Sequence, residues 1–258
     1  MAYKRREYIY NDKLSKEQNI LIDRLYKMRM SGMAEAFENQ MMNPNARLES
    51  FETRFTDIVN SEWNQRENKK FNRLLKQATL KYPAADLDQS IYEPSRQLNT
   101  RVIELLSQGD WIDEPNNLLM TGGAGAGKTY VACALCIAAL HQMKSVKYIR
   151  ANYLIQEAEH HQNEGTYYDY SNKMAEYDLL VIDDFGLMDL NLDKCRYLFE
   201  VIESRDCRKA TAIISQIPVM KWYQLFGDST YADACLSRMT SKAYRLEFPG
   251  SDRRIEKQ

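Results

Sequence analysis

The run Gly122-Gly123-Ala124-Gly125-Ala126-Gly127-Lys128-Thr129 has the residue types of an anion cradle at the spacing G-x-x-x-x-G-K-[ST]. Backbone N–H groups can wrap a phosphate only if side chains stay out of the way, and four positions of this run have no Cβ. Lys128 offers a cation for the β- and γ-phosphates, and the Thr129 hydroxyl is a hard oxygen of the kind Mg²⁺ selects. Tyr130 follows and completes the residues expected against a nucleotide. The flanks fit: apolar Asn117–Thr121 enters as a strand and a helical pattern over Lys128–Met143 leaves, aiming orphan N–H donors at the anion. A chance glycine-rich turn is the bland alternative, and the full motif in this setting argues against it.

A metal-bound triphosphate also needs a carboxylate at the end of a neighbouring buried strand. Leu179-Leu180-Val181-Ile182-Asp183-Asp184 supplies one. Asp183 closes the apolar run, where it can hold a metal-bound water beside Thr129. Asp184 can then orient or deprotonate the attacking water, although a turn or capping residue before Phe185-Gly186 is the other reading. Charge at a buried strand end is costly without a cation, which favours the functional reading. The ligands expected are ATP and Mg²⁺.

These residues must be held by the elements around them. Strand patterns cover Asn117–Thr121, Ser145–Ile149, Leu179–Ile182, Thr211–Ile214 and Ala243–Phe248, with helical patterns over Lys128–Met143 and Leu192–Arg205. Continuous apolar runs spaced by amphipathic helices predict an α/β P-loop fold, a five-stranded parallel sheet covered on both faces. Before it, Leu21, Ile22, Leu25, Tyr26 and Met28, then Phe51, Phe55, Ile58 and Val59, recur at helical spacing. Residues 1–80 therefore read as a small all-helical domain in which Met28, Met30, Met33, Met41 and Met42 pack adaptably. Pro83, Pro94 and the acids Asp86 and Asp88 break the period, which predicts a linker over 81–95 and an ATPase domain over 96–258. A helix is expected over Ser95–Ser107, stopped at Gly109-Asp110.

At 258 residues the chain can bury one α/β core and a smaller accessory domain. Its net charge of −1 means that any affinity for nucleic acid must come from local clustering. Such a cluster exists: on a helix over Glu62–Ala78, Arg66, Lys69, Lys70, Arg73 and Lys76 share an arc of about 120°. Phe71, Leu74, Leu75 and Ala78 occupy an opposing arc that can dock on protein. Phosphate contacts by all five cations predict a log K against log salt slope of about −4 to −5; a merely solvated lysine-rich face is the alternative. No base-reading module is recognisable, so duplex DNA would be bound with little sequence preference. Tyr167, Tyr168 and Tyr170, with Lys173, are expected in a loop that lines DNA or simply faces solvent. Cys133-x-x-Cys136 falls on a helix with no second pair, which reads as packed thiols rather than a zinc or redox site. Unmatched thiols, no apolar run near ~18 residues and no apolar leader together predict a cytoplasmic protein with no membrane role.

The strand–loop–helix, the LLVIDD strand and the turn at Ser215-Gln216-Ile217-Pro218 resemble AAA+ ATPases of the DnaC/IstB group. Further stretches resemble the IstB-like helper proteins of insertion-sequence transposons: Met30–Gln40, Glu62–Lys76, Gly109–Ile112, Ile214–Trp222 and Tyr231–Arg254. The resemblance implies an AAA+ ATPase that assembles on target DNA as a homo-oligomer, with ATP sites at subunit interfaces, and helps a cognate transposase insert. It puts Ser215 and Gln216 at the polar position beside the γ-phosphate, where a carboxamide both donates and accepts, so Gln216 is favoured over Ser215 or a plain turn. It aligns Arg238 with the arginine offered to a neighbour's site, with Arg205 and Arg208 as rivals and a surface salt bridge as the bland reading. Arg254 takes the second sensor position within Gly250-Ser251-Asp252-Arg253-Arg254, where Asp252 and an additional Arg253 depart from the family pattern. Asp184 replaces the glutamate usual in the wider class, and its shorter reach predicts slow basal hydrolysis. Two other readings remain: a helicase loader of the DnaC kind, and a small-molecule kinase that works without assembling.

Overall fold

The five apolar runs pair into one sheet in the order β2-β3-β4-β1-β5, with every neighbouring pair parallel. The computed structural model describes residues 8–87, 97–227 and 230–249. The strands are β1 (Asn117–Gly122), β2 (Val146–Arg150), β3 (Leu179–Phe185), β4 (Ala210–Ser215) and β5 (Ala243–Phe248). Each lies within a few residues of its sequence-predicted range. β1, β3 and β4 are interior and buried on both faces, which explains their unbroken apolar character. The strand order reverses between β1 and β4, and a crevice opens at their carboxyl ends, the usual position for a ligand in an open parallel sheet.

Two compact units divide the chain, one ending at Asn72 and the other starting at Arg73. In the first, α1 (Lys16–Lys27) and α2 (Ser31–Met42) pack Ile22 and Leu25 on Ala34. Ser15 and Gln18 close a capping box at the start of α1. α2 has no side-chain cap of its own; instead the Glu62 carboxylate accepts from the N–H groups of Gly32 at 2.7 Å and Met33 at 3.3 Å. A side chain at position 32 would put its Cβ 2.7 Å from the Glu62 Cα, so only glycine lets these helices meet. Burial works to raise the Glu62 pKa, but the Arg66 guanidinium and those N–H groups bring it below its ordinary value.

Glu62 and Arg66 sit on α3 (Phe51–Ala78), which crosses the division between the units. The sequence predicts an accessory domain ending at residue 80; α3 ends just before that, at Ala78, and Thr79 follows with φ of 52°. The Thr79 hydroxyl donates to the Tyr148 carbonyl on β2 at 3.0 Å.

In the second unit come α4 (Thr100–Ser107), the single turn α5 (Asp110–Asp113) and α6 (Lys128–His141). The Asn99 side chain caps α4, and the start expected at Ser95 lies outside the described residues. α6 is buried on nearly all sides, from Val131 through Cys133 and Cys136 to Leu140, so it forms part of the core under the phosphate loop. α7 (Ala151–Asn163), α8 (Tyr167–Glu176), α9 (Leu192–Arg205) and α10 (Tyr231–Thr240) complete the cover. The tyrosine loop expected at Tyr167–Tyr170 is in fact helix α8. Tyr170 is buried and its hydroxyl donates to the Leu154 carbonyl at 3.2 Å, so it cannot line a DNA groove; Tyr168 is exposed.

Candidate functional site

β1 delivers the chain to Gly122, whose φ is 150° and whose Cβ would lie 2.4 Å from the Phe248 carbonyl oxygen on β5. Any side chain there would push β5 away. Gly127 caps α6 with φ of 93°, a left-handed position that turns the loop into the helix. The cavity in front is lined by Ala124, Gly125, Gly127, Lys128, Thr129 and Tyr130. Gly122 and Gly123 turn carbonyls to the Lys128 ammonium, which donates to them at 2.8 and 2.6 Å, and Ala126 is buried beneath. Lys128 thus lies against the loop it serves, beside the position phosphates would fill.

β3 brings the carboxylates. Asp183 is 1% exposed, and its Oδ2 accepts from the Thr129 hydroxyl at 2.8 Å and the Tyr148 hydroxyl at 2.6 Å. Its Oδ1 accepts from the Asp184 N–H at 2.7 Å. Burial, then the hydrogen bond and charge of Asp183, push the Tyr148 pKa far up, so this phenol remains a donor. Thr129 and Asp183 are hard oxygen donors already in contact, a pair suited to Mg²⁺ completed by phosphate and water. After Ile182 the register with β4 shifts, and Asp184 sits at φ of 57°. That kink takes its carboxylate out of the strand pattern to line the cavity, and the Arg150 Nε, outside that lining, lies 3.6 Å from its Oδ2.

Four contributors escaped the sequence reading. Lys81 and Tyr82, assigned to a linker, line the cavity. The Tyr82 ring lies 5.9 Å from that of Tyr130, whose hydroxyl accepts from the Asp86 N–H at 3.3 Å. The Cys133 thiol on α6 hydrogen-bonds the main chain of Tyr82 and Lys81; burial pushes its pKa up and those bonds oppose the rise. Tyr148 and Arg150 alternate on one face of β2, in register with Val181 and Asp183. Alternation marks that face, but only the pairing of β2 with β3 gives it meaning.

Of the two polar residues after β4, Ser215 is buried, donating to the Phe185 carbonyl at 2.7 Å and accepting from the Ile217 N–H at 3.0 Å. Gln216 is exposed at the cavity mouth. Arg205 is buried, giving its donors to the Thr211 hydroxyl and the carbonyls of Met174 and Ala210. That removes it as a residue offered to a neighbour. Arg238 pairs with Glu203 and stacks 5.2 Å over the Phe199 ring. Its carbonyl accepts from Asn117, the first residue of β1, so it sits at the end of the sheet opposite the phosphate loop. Arg208 is exposed. Arg253 and Arg254 lie outside the described residues.

The five cations of α3 are all exposed. Arg66 is also committed to Glu62 at 2.6 Å, and Lys69 to Gln65 at 2.8 Å. Among the described residues no helix is long and apolar enough to cross a membrane.

A family model described as IstB-like ATP binding protein matches residues 23–258. The chain is 34% identical over 233 residues to the insertion sequence ATP-binding protein y4pL of Sinorhizobium fredii, covering 90% of this chain and 95% of that one. It is 36% identical over 197 residues to the IS1162 ATP-binding protein of Pseudomonas fluorescens, covering 76% and 85%. Among solved structures, a DNA replication initiation factor superposes with a TM-score of 0.56 at 21% identity, over 69% of this chain and 53% of that one. The last similarity bears on the fold alone.

Proposed function

Because the chain belongs to the IstB-like ATP-binding protein family, with an AAA+ fold, we propose that it is an Mg²⁺-dependent ATPase that assembles on duplex DNA and helps a cognate transposase insert there. The observation that carries the hydrolytic part is the 2.8 Å contact between Thr129 and Asp183 at the mouth of a glycine-lined loop, with Asp184 turned into the same cavity. Lys128 exchanges neutral carbonyls for charged phosphate oxygens, a stronger class of hydrogen bond. Thr129 and Asp183 hold the ion, and Tyr148 fixes the Asp183 carboxylate from behind. Bound Mg²⁺ supplies neutralisation of charge on the phosphates. Asp184 orients or deprotonates the attacking water, and its short side chain makes basal turnover slow. Gln216 donates its amide to the γ-phosphate, and Arg254 acts as a second sensor of the nucleotide.

Arg238 acts on a neighbour's nucleotide in a homo-oligomer, a role supported by its position at the far end of β1 from its own loop. Such a residue is worth roughly 10³–10⁵ in rate in other phosphoryl-transfer systems. DNA is met through phosphates by the exposed face of α3, at Arg66, Lys69, Lys70, Arg73 and Lys76, with little sequence preference. Arg66 contributes least, because removing it from Glu62 has a structural cost.

Electron microscopy and ATP turnover of the purified protein with duplex DNA test this reading. Assembly should require MgATP. Asp184→Asn should still bind ATP and form long-lived assemblies on DNA while hydrolysis falls about 10²–10⁴-fold. Rapid disassembly of Asp184→Asn with ATP would remove that residue from catalysis, and no association with duplex at low salt would sink the DNA reading.

A further inference from the structure

α3 ends at Ala78, and the segment that follows is pinned at its start, middle and end. At the start the Thr79 hydroxyl donates to the Tyr148 carbonyl, and Leu80 is buried. In the middle the main chain of Lys81 and Tyr82 hydrogen-bonds the Cys133 thiol on α6. At the end Ala85 is buried, its N–H donating to the Tyr82 carbonyl at 3.2 Å, and the Asp86 N–H donates to the Tyr130 hydroxyl at 3.3 Å. The side chains of Lys81 and Tyr82 nevertheless stay exposed, and both line the nucleotide cavity. An ordinary solvated lysine needs no such anchoring of its main chain. Residues 79–86 therefore form a strap with a fixed backbone that presents a cation and a ring to the phosphate loop.

Helix periodicity fixes the side from which Lys81 approaches. Cys133 follows Thr129 by four residues, so both lie on one face of α6, the face that Thr129 turns to Asp183. The strap that crosses Cys133 therefore passes on the metal side of the loop, and its neighbours around the cavity include Asp183, Asp184 and Gln216. An ion held by Thr129 and Asp183 would bring the terminal phosphate to this end of the cavity. Lys128 is the loop's own cation, whereas Mg²⁺ leaves a triphosphate with net negative charge, to which Asp183 and Asp184 add. Among the described residues the Lys81 ammonium has no carboxylate partner; it lies 5.5 Å from the centroid of the Tyr82 ring. An exposed cation–π contact is weaker than a charge-assisted hydrogen bond to phosphate, so the ring positions the ammonium without retaining it. We propose that Lys81 is a second cation for the terminal phosphate of bound MgATP, and that this contact ties the end of α3 to the triphosphate form of the site. The inference rests on the reading of this cavity as an MgATP site.

Calorimetry with MgATP and MgADP on the full chain tests it, comparing the wild type with Lys81→Ala, Lys81→Glu and Lys81→Arg. Lys81→Ala should weaken MgATP binding on the order of 10-fold, the lower end for a hydrogen bond to a charged group, and MgADP binding less than about 2-fold. Lys81→Glu should widen that gap, and Lys81→Arg should restore the wild-type ratio of the two affinities. Amide hydrogen exchange reads the tie to α3: MgATP should slow exchange over 79–86 more than MgADP does, and Lys81→Ala should remove the difference. Unchanged affinity for both nucleotides in Lys81→Glu would overturn the proposal while leaving the MgATP site intact. An equal loss for both nucleotides in Lys81→Ala and Lys81→Arg would also overturn it, reducing Lys81 to a support of the strap. Exchange over 79–86 that ignores the nucleotide would overturn the tie to α3. A wild-type chain without affinity for MgATP would sink the reading of the cavity itself, and the proposal with it.

Discussion

The two ends of the sheet use the same side-chain types to opposite effect. Where the strands begin, polar groups close on one another. Asn117 donates to the Arg238 carbonyl and accepts from the Thr211 N–H, and Asp178 accepts from the Ser145 N–H, the Ser145 hydroxyl and Lys209. Arg205 spends its guanidinium on Thr211, Met174 and Ala210. These bonds stitch β1 through β4 together below the core. Where the strands end, Lys128 leans on loop carbonyls, Asp184 stands at a positive φ, and Arg150 reaches it only at 3.6 Å. Residue type does not distinguish a structural arginine from a chemical one here; the completeness of its bonding does. Strain and loose pairing gather where a ligand would finish the arrangement.

Breaking the closed end should have the largest effect. Arg205→Ala leaves buried carbonyls and a hydroxyl unpaired and should lower unfolding free energy by about 3–5 kcal/mol in urea titration. ATP affinity of the protein that remains folded should be unchanged; a parallel loss would erase the distinction between the ends. At the open end, Lys128→Ala should weaken MgATP binding by about 100-fold in calorimetry, the worth of two charged hydrogen bonds. Its unfolding midpoint should move far less than that of Arg205→Ala, and an equal shift would show that the loop lysine also holds the fold. The smallest effect concerns acid. Burial works to raise the Asp178 pKa, but Lys209 and Ser145 bring it below its ordinary value. A lowered folded-state pKa gives stability that is present above about pH 4 and fades as pH falls through the folded value. Asp178→Asn should therefore cost under about 1 kcal/mol near neutrality, a difference that shrinks on acidification, since the pair is partly exposed. A penalty that grows in acid would contradict the closed network.

Legibility in the sequence followed contiguity. The glycine loop and the LLVIDD run are each continuous, so strand, turn, cation and carboxylates could be read together, and all five strands were expected close to where they lie. Lys81 and Tyr82 were hidden because Pro83 and the following alanines read as a break, whereas tertiary packing against Cys133 and Tyr130 brings that segment to the cavity. α8 was missed because Asp169, Ser171 and Asn172 favour turns, although Tyr167, Tyr170 and Met174 keep helical spacing. Arg205 and Arg238 were rivals on paper, since burial of a guanidinium leaves no mark in a string of letters.

The hydroxyl of Thr79 on the Tyr148 carbonyl bears on solubility. β2 is a border strand, and its outward main-chain groups are a template on which another chain can add by ladder pairing. By occupying that acceptor, the end of α3 acts as a guard rail against fibrous or swapped assembly. A fragment trimmed to begin at residue 81 loses the guard, so its clumping would not test whether the whole chain assembles.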